Sequence, residues 1–219
     1  MLISDETKKD LIGVFGGTFD PIHKGHIKIV DFLLDNLPFE EIRVVPCGLP
    51  SHRDFVASSE DRLKMAQIAF QEKKKIVVDS REVIQDGPSR SIETIESLTK
   101  ELSEDVSLVW IMGEDAFSEI ESWYRWQEFL DSTNLIIVSR LDPSSRNIET
   151  LDNRFSERFV DTFHEFHRNG YGNILHLPMS LINISSSLIR SRIQNKIPIN
   201  DLVSKDVFEY IHEHKLYNE

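Results

Sequence analysis

Short, unbroken runs of apolar residues recur along the chain, and segments with helical spacing separate them. Each run is about five residues long and does not alternate with polar residues, which is typical of strands buried on both faces of a sheet. Alternation of such strands with helices favours a parallel sheet with right-handed crossovers, which predicts an α/β, doubly wound fold. The predicted strands lie at 11–15, 42–45, 76–78, 108–112, 135–138 and 174–177.

Apolar residues three or four positions apart predict the helices between these strands. The clearest case is 92–102, where Ile92, Ile95, Leu98 and Leu102 would share one face. Serines precede several of these segments, and a serine hydroxyl can accept a hydrogen bond from an N–H of the first turn. Further helices are predicted at 62–70, which Ser58 or Ser59 could cap, at 185–193, which Ser185 could cap, and at 202–214.

Residues 142–172 interrupt the alternation. They open with a turn-like Asp-Pro-Ser-Ser sequence, and a series of phenylalanines then runs from Phe155 to Phe166 at spacings of four, four and three. This spacing predicts an amphipathic helix whose aromatic stripe packs in the core or at an interface. We interpret the segment as an insertion into an α/β domain of residues 1–184, with residues 185–219 as a small C-terminal helical subdomain packed on it.

Composition narrows the classes of partner. The chain has 219 residues and is 40% hydrophobic and 28% charged, which is ordinary for a globular protein. Neither an apolar stretch of ~18–20 residues nor a signal peptide is evident. A net charge of −12 argues against a general affinity for nucleic acid. We expect a cytoplasmic protein without membrane or nucleic-acid partners, and leave open whether it forms a homo-oligomer.

The single cysteine, Cys47, rules out an internal disulfide and fits a reducing compartment. It could be a nucleophile, but no His–Asp constellation is evident around it. The better interpretation is a small apolar filler.

Segment 16–26, GGTFDPIHKGH, lies between the first predicted strand and the first helix. Its two glycines let the backbone come close to a ligand, and the helix start presents N–H groups with a partial positive charge. His23 and His26 are three residues apart and would lie on one side. Zinc ligation would need a third protein ligand, which the neighbourhood does not offer, and two surface histidines would not explain the glycines. The combination indicates a pocket for a polyanion, most simply the phosphates of a nucleotide.

This segment resembles the first signature of the HxGH nucleotidyltransferase superfamily, and its form is similar to that of bacterial nicotinate-nucleotide adenylyltransferases. Segment 184–190, ISSSLIR, resembles the second signature, with Ser187 where threonine is usual. Three further segments resemble motifs of that family: 46–53, 87–94, and 111–115 together with Trp123. The resemblance covers nearly the whole chain except about residues 142–172.

The resemblance implies a Rossmann-like sheet of the nucleotidyltransferase type and transfer of the adenylyl group of ATP to nicotinate mononucleotide, giving deamido-NAD and pyrophosphate. The 5′-phosphate of the mononucleotide is already an anionic nucleophile. The protein therefore has to align two anions and stabilise the charge that develops toward the leaving group. Implied catalytic residues are His23, His26 and Arg190. Mg²⁺ is the implied cofactor, bridging the ATP phosphates without a dedicated protein site.

The resemblance also implies binding residues for each substrate. Those for ATP are Gly16, Gly17, Thr18, Phe19, His23, His26, Gly113, Asp115, Ser185, Ser186 and Arg190. Those for nicotinate mononucleotide are His52, Arg53, Ser89, Arg90, Ser91 and Trp123. Trp123 is either a platform for the cationic pyridine ring or a half-buried core residue. Arg90 stands where the family has tyrosine, and could either pair with the nicotinate carboxylate or point to solvent.

Three rival functions remain at this point. The first is another adenylyltransferase of the superfamily, for phosphopantetheine or with a preference for nicotinamide mononucleotide. The second is a fragment of an aminoacyl-tRNA synthetase, which the acidic composition and the lack of a KMSKS-like segment disfavour. The third is a nucleotide-sensing module, which would not need both phosphate-binding signatures.

Overall fold

The computed structural model describes residues 10–49, 57–140, 154–168, 170–180 and 183–218. Strands in this part of the chain are β1 Asp10–Gly17, β2 Phe39–Pro46, β3 Ile76–Val78, β4 Val106–Gly113, β5 Asn134–Arg140, β6 Phe159–Val160 and β7 Ile174–Met179. The helices are α1 Lys24–Asn36, α2 Ser59–Phe70, α3 Arg81–Ile84, α4 Ser91–Glu101, α5 Glu114–Ser118, α6 Trp126–Ser132, α7 Phe163–Arg168, α8 Ser186–Gln194 and α9 Lys205–Glu213.

The strands form one sheet in the order β3-β2-β1-β4-β5-β7-β6, and the paired strands are parallel. The order runs one way from β1 through β2 to β3 and the other way from β4 through β5. The reversal therefore lies between β1 and β4, which is where open α/β sheets bind ligands at the carboxyl ends of their strands. The predicted doubly wound fold is confirmed.

Apolar clusters cover both faces of the sheet, which explains why its strands are unbroken apolar runs. Along β1, Leu11 and Phe15 join the cluster that packs with α1, α2, α8 and α9. Ile12 and Val14 join the other cluster, together with residues of α4, α5 and α6. The alternation along a single strand thus places a layer of helices on each side.

Serine caps set several helix starts. Ser58 accepts a hydrogen bond from Asp61 N at 3.0 Å at the start of α2, and Ser185 accepts one from Leu188 N at 3.1 Å at the start of α8, as predicted. The last helix begins later than the predicted residue 202. Ser204 is its cap and accepts a hydrogen bond from Val207 N at 3.4 Å. Leu202 and Val203, which precede the cap, are buried but lie in a turn.

The prediction of one helix from Phe155 to Phe166 is wrong. Phe159 lies on β6 and pairs with Ile174 of β7, and α7 begins only at Phe163. Thr162 and Glu165 form a reciprocal cap, with Glu165 N donating to Thr162 Oγ1 and Thr162 N donating to Glu165 Oε2, each at 3.2 Å. This cap fixes a helix start inside the predicted helix. Residues 142–153 and 169 of the insertion lie outside the described residues.

The C-terminal segment shares the core of the sheet. Ile189, Val207, Ile211 and Tyr217 belong to the same buried cluster as Leu11 of β1. The division into 1–184 and 185–219 stays a prediction. Among the described residues, no helix is both long and apolar enough to cross a membrane.

Candidate active site

A pocket of about 240 Å³ opens at the carboxyl ends of β1 and β4, at the reversal of the strand order. It brings together segments that are far apart in sequence: the two glycines that end β1, the start of α4, the end of β4 and the segment before α6. The residues around it are Gly16, Gly17, Thr18, Cys47, Glu82, Ser89, Arg90, Ser91, Trp110, Met112, Gly113, Ala116, Glu119, Ser122, Trp123 and Tyr124. Predicted residues for ATP and for the mononucleotide therefore meet in one pocket.

Neighbouring side chains require the two glycines at the end of β1, which the sequence analysis had placed after the strand. A Cβ on Gly16 would lie 2.5 Å from Cζ2 of Trp110, and one on Gly17 would lie 2.9 Å from the ring of Phe19. Both distances are too short for any other residue without rearrangement. Close packing therefore adds to the ligand-approach argument for these glycines.

His23 and His26 form a reciprocal cap at the start of α1. His26 N donates to Nδ1 of His23 at 3.4 Å, and His23 N donates to Nδ1 of His26 at 3.2 Å. The rings are stacked, with centroids 3.6 Å apart. An Nδ1 that accepts a hydrogen bond carries no proton, so each neutral ring carries its proton on Nε2. The cap thus fixes the tautomer and leaves two Nε2–H donors.

Burial keeps both rings neutral. It lowers the pKa of His23 to about 4, and it lowers the pKa of His26 well below its usual value, with the neighbouring His23 acting in the same direction. The ring of Phe19 lies edge-on to His26, with centroids 5.0 Å apart. At neutral pH the pair therefore offers N–H dipoles rather than full positive charges.

The second signature is bonded directly to the first. Ser186 Oγ donates to Pro21 O at 3.0 Å, and Arg190 Nη1 donates to Asp20 O at 2.6 Å. Arg190 Nη2 also lies 3.4 Å from Ser187 Oγ. A guanidinium has five N–H groups, so these contacts leave donors for a ligand. We call the residues His23, His26, Ser185, Ser186 and Arg190 the signature cluster.

Two residues that the sequence analysis missed hold the turn after β1. Tyr217 donates to Oδ1 of the buried Asp20 at 2.8 Å, and burial together with this carboxylate raises the pKa of the phenol. Arg62 is fully buried and donates to the carbonyls of Thr18 at 2.8 Å and Gly48 at 2.7 Å. Its sequence signal was its position one helical turn before Met65 and Ala66, on the apolar face of α2.

The start of α4 forms the opposite side of the pocket. This helix begins after Arg90 without a side-chain cap, so its first N–H groups are available to a ligand or to water. Arg90 stacks on Tyr124 with its Cζ 4.0 Å from the ring centroid, and its Nη1 lies 3.0 Å from Glu93. Ser89 has a structural contact, because its Oγ accepts from Gly48 N at 2.9 Å. Trp123 is half-buried and meets Trp110 edge to face.

Burial shifts the pKa of two ionisable groups in the pocket wall towards the uncharged form. Thr94 donates to Glu82 at 2.6 Å, and burial raises the pKa of this carboxyl. Burial also raises the pKa of the Cys47 thiol, which makes its thiolate scarcer and supports the interpretation as a filler.

Other predicted residues are placed differently or fall outside the description. Asp115 is exposed in the first turn of α5 and does not line the pocket. The side chain of Phe19 is buried in the core, so contact with a nucleotide would have to come from its backbone. His52 and Arg53 lie outside the described residues. Within the described ranges, no group of three or more His, Cys, Asp or Glu side chains is placed to hold a metal ion.

Sequence comparison with known proteins agrees with the family that the motifs resemble. A family model described as Cytidylyltransferase-like matches residues 14–192. The chain is 33% identical over 207 residues to a protein of Marinomonas sp. (strain MWYL1), which covers 94% of each chain. It is 35% identical over 209 residues to a protein of Hydrogenovibrio crunogenus, covering 94% of this chain and 97% of the relative. Both relatives bear the name "Probable nicotinate-nucleotide adenylyltransferase".

Solved structures match the fold. The Plasmodium falciparum nicotinic acid mononucleotide adenylyltransferase complexed with NaAD aligns with a TM-score of 0.76 at 20% identity, covering 95% of this chain and 98% of that one. The same enzyme complexed with APC aligns with a TM-score of 0.73 and the same coverage. At this identity the likeness shows the fold, while the relatives in sequence show the family. The chain belongs to the nicotinate-nucleotide adenylyltransferase family, within the cytidylyltransferase-like group.

Proposed function

We propose that this protein transfers the adenylyl group of ATP to nicotinate mononucleotide, forming deamido-NAD and releasing pyrophosphate. The observation that carries the proposal is the convergence of both signatures and the start of α4 at the reversal of the strand order. The signature cluster offers donors suited to phosphates, and the adjacent pocket offers an aromatic wall with anion donors. The phosphates of a nucleotide match the donors of the signature cluster, and a pyridine ring with a carboxylate matches the aromatic wall and anion donors of the pocket.

The signature cluster supplies alignment and electrostatic stabilisation. The 5′-phosphate of the mononucleotide attacks the α-phosphorus of ATP, a bond to the bridging oxygen breaks, and pyrophosphate leaves. The Nε2–H groups of His23 and His26 donate to phosphate oxygens without needing to change protonation state. Arg190 and the starts of α1 and α8 add positive potential where negative charge develops. No general base is needed, since the attacking phosphate is already ionised.

The neighbouring pocket takes the pyridine end of the acceptor. The ring of Trp123 faces a cationic pyridine favourably, and the uncapped start of α4 donates to the carboxylate. Burial raises the pKa of Glu82 in the wall of this pocket, which lessens the repulsion between its carboxyl and the nicotinate carboxylate. The side chains described here do not form a cage for Mg²⁺. The ion would instead be held by ATP phosphates and water, and would supply charge neutralisation there.

The decisive experiment is pyrophosphate release by the purified protein with ATP and nicotinate mononucleotide, with identification of the dinucleotide product. We expect release only when both substrates are present. Parallel reactions with nicotinamide mononucleotide and with phosphopantetheine test the rival acceptors. Faster release with either of these would overturn the nicotinate assignment, and no release with any acceptor would overturn adenylyl transfer itself.

A further inference from the structure

Trp110 carries an indole N–H that the described part of the fold leaves without a partner. It lies on β4, is 2% exposed and lines the pocket. Its indole Nε1 is buried and has no hydrogen-bond acceptor among the described residues. A buried donor without an acceptor destabilises a protein, and the large majority of such groups in folded proteins are paired. This indole N–H therefore requires an explanation.

The surroundings of the ring fix where this N–H lies. A Cβ on Gly16 would come 2.5 Å from Cζ2 and 3.5 Å from Cε2 of Trp110, and Cε2 is bonded to Nε1. The benzene edge of the indole thus lies against Gly16, and Nε1 is one bond beyond the farthest of these atoms, in a side chain that lines the pocket together with Gly16. Trp123 and Phe129 meet the ring edge to face, with centroids 6.4 and 5.3 Å away. These contacts hold the indole in its place at the base of the pocket.

We propose that the indole N–H of Trp110 donates to the carboxylate of the pyridine substrate and so determines specificity for the acid over the amide. This inference rests on the proposed function. A carboxylate presents two acceptor oxygens, so it can accept from Trp110 and from the start of α4 together. A carboxamide presents one oxygen and an NH₂ group, which would face one of these donors and leave it unpaired.

Phosphate is the other anion that the substrates carry, and the structure favours the carboxylate. Trp110 contacts Trp123 and lines the same pocket as Ser91 and Arg90, and the signature cluster does not line that pocket. The buried aromatic setting suits a ring substituent better than a triphosphate, which needs several charged or N–H partners.

The test is Trp110→Phe, which keeps an aromatic ring at this position and removes the N–H, beside Trp126→Phe as a matched control. Trp126 packs on Phe155 and does not line the pocket. We expect Trp110→Phe to raise KM for nicotinate mononucleotide about 10- to 100-fold, as loss of a hydrogen bond to a charged group does. KM for ATP and kcat should change less than about threefold. The preference for nicotinate over nicotinamide mononucleotide should fall by a similar factor, and Trp126→Phe should leave all these values unchanged.

Stability separates this role from a structural one. Because none of the described residues accepts a hydrogen bond from this N–H, Trp110→Phe should not lose stability through a broken hydrogen bond. The larger loss should appear in the rise of Tm that nicotinate mononucleotide causes without ATP. An unchanged KM, or an equal loss with both mononucleotides, would overturn the proposal. If wild-type protein releases pyrophosphate but the Trp110 variant behaves as wild type, only the assignment of Trp110 fails.

A measurement on unmodified protein covers the case in which the variant does not fold. The chain has three tryptophans, so its spectrum should contain three indole N–H resonances, which Trp123→Phe and Trp126→Phe would assign. Adding nicotinate mononucleotide should shift the Trp110 resonance downfield and protect it from exchange, and nicotinamide mononucleotide should do so less. A Trp110 resonance that does not respond to the acid would contradict the proposal.

Discussion

Replacing His26 in two ways separates its role as a cap from its role as a donor. Asparagine places an amide oxygen near the position of Nδ1, so it can still accept from His23 N, but it does not reach the position of Nε2. Glutamine reaches the position of Nε2 with an N–H donor but loses the cap. Removing one preorganised donor to a developing charge costs about 10²- to 10³-fold in kcat. Losing a helix cap costs about 0.5–2 kcal/mol of stability.

We therefore expect His26→Asn to melt near the wild-type temperature with kcat reduced about 10²- to 10³-fold. His26→Gln should keep kcat within about tenfold and lose about 2–4 °C in Tm for each kcal/mol of lost capping. Pyrophosphate release and thermal unfolding followed by circular dichroism measure the two effects. Wild-type kcat in His26→Asn, or an equally inactive but folded His26→Gln, would refute the assignment of a neutral Nε2–H donor.

Three further predictions concern charge. Arg190→Lys keeps the charge but loses the planar fork that bonds Asp20 O, so kcat/KM for ATP should fall about 10-fold or more, and an unchanged value would mean that Arg190 acts only as diffuse charge. The folded-state pKa of His23 lies near 4, below the ordinary 6.5, so the unfolded chain binds more protons in this window and stability should fall by about 2 kcal/mol from pH 7 to pH 5. Urea unfolding of wild type and His23→Asn tests this, and equal pH slopes would contradict it. Arg90→Ala should shrink the preference for nicotinate mononucleotide about 3- to 10-fold without abolishing it, whereas Arg125→Ala, outside the pocket, should not change it.

The strands could be predicted because burial on both faces leaves an unbroken apolar run. Each predicted strand lies within an observed strand or coincides with it, as at Ile76–Val78. β6 could not be predicted, since it has only two residues and exists through its pairing with β7. The phenylalanine spacing that suggested a helix instead reflects packing from two elements, with Phe155 buried before β6 and Phe166 buried on α7. Periodicity alone cannot distinguish these cases.

In the candidate site, too, residues in local motifs could be predicted and residues that act through long-range contacts could not. Residues within the two signatures were predicted because a local pattern of glycines, histidines and a serine cap has its own chemistry. Arg62 bonds Thr18, which is 44 residues away, and Tyr217 bonds Asp20, which is 197 residues away. Neither contact produces a recognisable pattern in the sequence around Arg62 or Tyr217. Trp110 was missed for a related reason. A tryptophan inside an apolar strand is interpreted as a core residue, and only the positions of its neighbours show that the described residues offer no acceptor for its N–H.

The neutral histidines change where positive charge must come from. Lys24 lies between them in the first signature and would be an obvious phosphate partner. Its Nζ instead donates to the carbonyls of Asn200 and Asp201, each at 3.1 Å, and so ties α1 to the C-terminal segment. Within the signature cluster the permanent charge is therefore the guanidinium of Arg190, supported by the partial charges of two helix starts. Two substrates with several negative charges exceed what one guanidinium neutralises. A cation carried on the ATP phosphates, as proposed for Mg²⁺, would neutralise the remaining charge, while the neutral histidines would orient the phosphates through their Nε2–H groups.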